Sequence, residues 1–86
     1  MLYVSQLLAA RGLLRWNQAD LAAASALALS TIKRMESNDG PVRGHSVNVW
    51  KVQRALEDAG IEFIDENGGG PGVRLKSRIG ISLSGW

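Results

Sequence analysis

The chain has 86 residues, enough for one domain, and a net charge of +2 at neutral pH. It has no cysteine, which excludes a disulfide framework and thiolate metal sites and fits a reducing cytoplasm. No apolar run approaches the roughly 20 residues that span a bilayer. The first residues lack the basic flank and cleavage pattern of a signal peptide, so a cytosolic protein is expected.

Charge is unevenly spread. Residues 1–56 hold seven Lys/Arg against three Asp/Glu, a local charge of +4, while residues 57–66 hold five carboxylates and no base. Such a body would meet a polyanion with its acidic side turned away, although ordinary solvated charge gives the same composition. A domain this small buries only about 60% of the surface its unfolded chain exposes, so self-association would help stabilise it.

Leu2 to Arg15 reads as a first helix, with Leu7, Leu8, Arg11 and Leu14 on one stripe. Trp16 ends it. Asn17 suits an N-cap, and Asp20 three residues on is a short version of the capping-box acid, so a second helix starts at Gln18 and runs to about Ala24. A turn at Ser25-Ala26-Leu27 leads into a third helix from about Ala28. Leu21, Leu27, Ile32 and Met35 then point inward, and Leu29, Ser30, Lys33 and Arg34 point out. The run Asn38-Asp-Gly-Pro41 stops that helix.

Ser46 or Asn48 caps a fourth helix with Val49, Val52, Leu56 and Ala59 inward, and Gly60 closes it. Beyond Gly60 the period changes to two. Ile61 and Phe63 alternate with Glu62 and Ile64, and Val73 and Leu75 with Arg74 and Lys76, around the loop Asn67-Gly-Gly-Gly-Pro-Gly72. This is a hairpin. Ile79, Ile81 and Leu83 continue the alternation, which suits a third strand paired with a two-fold copy and equally a frayed end.

The expected architecture is therefore mostly α: a bundle of four or five helices with a C-terminal β-hairpin. Residues 1–60 would form the helical body and residues 61–86 a hairpin and tail for dimerisation. Phe63, Val73, Leu75, Ile79, Ile81 and Leu83 would lie at that interface. Trp50 sits off the inner stripe and Trp86 ends the chain; either suits the interface, and Trp50 suits the core equally. An enzyme is not expected. There is one histidine, His45, without metal-ligand neighbours, and Gly68-Gly-Gly-Pro-Gly72 is not followed by a helix as a nucleotide loop requires. No cofactor is expected.

Arg11, the segment Trp16-Asn-Gln-Ala-Asp-Leu-Ala22 and the segment Ser30-Thr-Ile-Lys-Arg-Met-Glu36 together resemble the Xre-type helix-turn-helix family of phage repressor and Cro DNA-binding domains. The resemblance covers roughly residues 5–60, and the hairpin sequence is similar to the ending of many short bacterial regulators of this family. Two positions depart from the pattern: Ala26 stands where the turn usually has Gly, and Ala28 where the third helix usually has a Ser/Thr cap.

The resemblance implies a DNA-binding transcriptional regulator, in the first place a repressor, acting as a homodimer on double-stranded DNA. It implies a structural ion pair between Arg11 and Glu36. The third helix, about residues 28–36, would enter the major groove, with Leu29, Ser30, Lys33 and Arg34 at base edges and Ala28 and Thr31 beside them. Arg34 suits a bidentate contact to guanine and Leu29 a thymine methyl. Asn17 and Gln18 would meet phosphate at a helix N-terminus, and Arg43, with His45, phosphate or the neighbouring groove. The plainer alternatives are that Leu29 covers the turn, Ser30 substitutes for the cap, and Lys33 and His45 are merely solvated. The rival function is an antitoxin-like or anti-regulator protein that grips a protein partner with its hairpin and tail and binds DNA only for autoregulation. A helix-turn-helix adaptor without DNA binding is a third possibility.

Overall fold

The computed structural model describes residues 1–76; the expected third strand at Ile79, Ile81 and Leu83, and Trp86, lie outside the described residues. Four helices, α1 (Val4–Leu14), α2 (Gln18–Ser25), α3 (Leu29–Met35) and α4 (Ser46–Asp58), are followed by two strands, β1 (Ile61–Ile64) and β2 (Gly72–Leu75). The fold is a helix-turn-helix bundle with a C-terminal antiparallel hairpin. No helix among the described residues is long and apolar enough to cross a membrane.

The first helix is shorter than its sequence suggests. Leu2 and Tyr3 are extended, because the Leu2 carbonyl accepts from Val42 N–H and Gly40 carbonyl accepts from Val4 N–H, both at 2.8 Å. A segment that pairs with a loop in this way cannot also close a helical turn. Leu8, expected on the inner stripe, is 44% exposed. The stripe that packs is Val4, Leu7, Ala10 and half-buried Leu14, and Leu8 lies a helical step of about 100° away from Leu7.

Helices α1 and α2 end alike. Arg15 and Ala26 both take left-handed backbone, with φ of 57° and 59°. Next, Trp16 N–H donates to Arg11 O at 2.9 Å and Leu27 N–H to Ala22 O at 3.0 Å, the six-to-one bonds of a Schellman ending. Each left-handed residue is thus followed by a large apolar side chain, Trp16 or Leu27, that packs on the core. The N-cap position of α4 is His45 rather than Ser46 or Asn48, and its side chain makes no cap bond. Gly60 follows at φ 111°, a value that glycine adopts without strain.

The core gathers Leu7, Ala10, Leu21, Ile32, Met35, Val52 and Leu56 from all four helices, and Ile61 of β1 joins them fully buried. The hairpin register pairs Ile61 with Leu75, Glu62 with Arg74 and Phe63 with Val73. Phe63, Val73 and Leu75 pack half-buried against the chain's own core. Trp50 is 63% exposed and takes no part in the core.

Candidate nucleic-acid interface

The pair α2–α3 is fixed from below by an ion-pair network. Arg11 meets Glu36 side by side, Nε to Oε2 at 2.7 Å and Nη2 to Oε1 at 2.8 Å. Its remaining Nη1 donates to Trp16 O at 2.9 Å. Gln18 Nε2 completes the carboxylate's shell with a bond of 2.8 Å to Glu36 Oε1. The Glu36 side chain is only 5% exposed. A buried carboxylate needs the opposite charge and hydrogen bonds to both oxygens, and here it has both. Three elements, the end of α1, the start of α2 and the end of α3, are pinned at one point.

In that network the Gln18 amide nitrogen gives one of its two N–H donors to Glu36. Asn17 is also engaged: its Oδ1 accepts from Asp20 N–H at 2.7 Å, and Asp20 Oδ2 accepts from Asn17 N–H at 2.9 Å. The start of α2 therefore holds a capping box with its own carboxylate. What it still offers an incoming phosphate is the second Gln18 N–H, the Asn17 amide nitrogen and the exposed backbone N–H groups of the first turn.

Helix α3 buries Ile32 and Met35 and turns the opposite side outward. At about 100° per residue, Ser30 stands at the centre of that outer face, with Lys33 and Leu29 on one flank and Arg34 and half-buried Thr31 on the other. Leu29 is 39% exposed, and Ser30, Lys33 and Arg34 are exposed. Neither Lys33 nor Arg34 is in an ion pair among the described residues, whereas Arg11, Arg54 and Arg74 all are. Ala28 is the N-cap and makes no side-chain cap bond; its methyl cannot accept one. Arg43 and His45 are exposed in the loop between α3 and α4, on the flank that Arg34 occupies.

Two buried polar residues, Gln6 and Ser25, hold backbone in place. Gln6, 2% exposed, accepts from Tyr3 N–H at 2.9 Å and donates to Gly72 O at 3.0 Å and Ile64 O at 3.3 Å. It ties the N-terminus of α1 to the loop end of the hairpin, where Ile64 pairs with Gly72. Ser25 donates to Leu21 O at 2.7 Å inside α2. The hairpin's outer face carries a forked Arg74–Glu62 pair at 3.0 and 3.1 Å, which holds the Glu62 carboxyl below its usual range through the hydrogen bonds first and the charge second. Among the described residues no group of His, Asp or Glu is arranged to hold a metal ion.

The chain matches no protein-family model, and no curated protein matches it in sequence.

Proposed function

We propose that the chain is a sequence-specific DNA-binding transcriptional regulator, a repressor of the Xre type, that works as a cytoplasmic homodimer on double-stranded DNA and has no catalytic activity. The observation that carries this reading is the outer face of α3. It is short, exposed, free of carboxylate, and presents Leu29, Ser30, Lys33 and Arg34 from a helix locked at its far end by Arg11, Gln18 and Glu36. A rigidly mounted helix with that side-chain set fits the major groove, where hydroxyl, ammonium and guanidinium groups read base edges. One such helix reads few base pairs, so useful specificity calls for two copies on half-sites about 34 Å apart.

A protein partner as the principal target, as in an antitoxin-like or anti-regulator protein, has one observation in its favour. Exposed Met1 and Trp50 line, with Leu2, Pro41 and Val42, an open groove of ≈ 400 Å³, and apolar surface of this kind marks interaction sites. The DNA reading is tested by Ser30→Ala with Lys33→Ala. On the DNA-regulator reading the double variant keeps its fold and loses preference for its best genomic fragment, each lost base contact being worth about 1–3 kcal/mol. Unchanged preference, or no preference in the unaltered protein, would remove the DNA reading.

A further inference from the structure

On the far flank of α3, away from Lys33, lies a small cleft of ≈ 70 Å³ lined by Thr31, Arg34 and Met35 of α3, Arg43 and His45 of the following loop, and Asn48 of α4. A cleft of this volume takes a few waters or one small polar group. Its chemistry is one-sided. Two guanidinium-bearing residues from different elements share it, neither is in an ion pair among the described residues, and no carboxylate lines it. Like charges brought together at a partly enclosed site repel unless an anion lies between them.

The backbone adds to the same polarity. The first intrahelical bond of α4 is Val49 N–H to His45 O at 3.0 Å, so the N–H groups of Ser46, Val47 and Asn48 precede the ladder. His45 makes no side-chain cap bond, and no acid stands in the first turn of this 13-residue helix. The contrast with α2 is direct, since there Asp20 occupies the corresponding position. The Thr31 hydroxyl and the Asn48 amide supply neutral donors on either side.

We infer that this cleft is a binding site for a single phosphate group, held by Arg34 and Arg43 with Thr31 and Asn48. Resting on the DNA-binding reading, that phosphate belongs to the DNA backbone. Arg34 is then a backbone clamp that fixes how deeply α3 sits in the groove, and sequence is read by Leu29, Ser30 and Lys33 on the other flank. This reverses the role that its place on the recognition helix suggests for Arg34.

Two measurements on the full chain decide it. In the first, inorganic phosphate is titrated into the ¹⁵N-labelled protein. The amide signals of Gly44 and Asn48 shift saturably, and the shift is lost in Arg34→Ala/Arg43→Ala while the remaining spectrum keeps its dispersion. No shift, or one that survives the double variant, overturns the site. In the second, duplex binding is measured against salt on the best-bound genomic fragment and on two unrelated sequences. Arg34→Ala and Arg43→Ala each weaken binding roughly ten- to hundredfold on all three duplexes, and the double variant lowers the log–log salt slope by about 0.9, the share of one phosphate. If Arg34→Ala weakens only the preferred fragment, Arg34 reads a base and the clamp is wrong. If phosphate binds but no duplex does, the site stands, its ligand is a free phosphate compound, and the DNA-binding reading falls.

Discussion

Replacing Ala26 with glycine should stabilise the protein, an uncommon outcome for putting glycine into a helical region. Ala26 sits at φ 59° and ψ 34°, where an L-residue's Cβ crowds the following carbonyl at a cost of roughly 1–2 kcal/mol. Glycine removes that crowding. Its side chain is exposed, so deleting the methyl empties no packed space. Against the gain stands the larger conformational freedom of glycine in the unfolded chain, about 0.4–1 kcal/mol. The balance is about 0.5–1 kcal/mol in favour of the variant. For a domain of this size each kcal/mol moves Tm by roughly 4–8 °C, so Ala26→Gly should raise Tm by about 2–8 °C, with an unchanged slope in urea unfolding. Arg15→Gly should act in the same direction, since Arg15 has φ of 57° and is also exposed. A fall in Tm for Ala26→Gly would mean that the turn between α2 and α3 is not left-handed, and the orientation assigned to α3 would go with it.

Other consequences follow from the buried polar groups. Arg11→Met leaves the Glu36 carboxylate buried with Gln18 as its remaining side-chain donor, and removal of one partner of a buried pair costs about 3–5 kcal/mol; a chain of this length has few kcal/mol to spare, so its urea midpoint should collapse, and a near-wild-type midpoint would contradict the network's role. Gln6→Leu leaves Tyr3 N–H and two hairpin carbonyls without their side-chain partner, at about 1–3 kcal/mol, and amide hydrogen exchange should quicken in β1 and β2 more than in α2 and α3. Because the folded-state pKa of Glu62 is depressed by Arg74, the pair's contribution is present above the ordinary carboxylate pKa and lost as pH falls through the folded value; Glu62→Gln should flatten the acid limb of the stability profile. The Tyr3 hydroxyl is raised by its hydrogen bond to Glu66 and then by that residue's charge. Its contribution is complete below the ordinary tyrosine pKa and fades as pH rises through the folded value, so Tyr3→Phe should flatten the alkaline limb.

Much of the fold was legible because local chemistry and tertiary packing agree. Asn17 and Asp20 form the box that their spacing predicts, the change from helical to alternating period falls at Gly60, and the hairpin register puts Ile61, Phe63, Val73 and Leu75 on one face. The Arg11–Glu36 contact came from resemblance, since nothing in spacing alone brings together residues 25 apart in sequence. What stayed hidden depends on partners far along the chain. Gln6 looks like an ordinary polar position of an amphipathic helix until strand carbonyls 58 and 66 residues away are brought to it. Leu2 and Tyr3 look helical until the loop at Gly40 and Val42 pairs with them. Alanine carries no local sign that position 26 will be left-handed. At the candidate interface, the sequence orders residues along α3 but does not say which flank faces α4, and that flank is what separates Arg34 from Lys33.

The most direct test of the account is duplex DNA binding as a function of salt, with stoichiometry, on genomic fragments that include the protein's own promoter. The account predicts a fragment-specific complex of two chains per site, with log K falling linearly against log salt concentration as phosphate contacts release counterions. Weak binding that is indifferent to sequence, or a complex of one chain unaffected by salt, would contradict it.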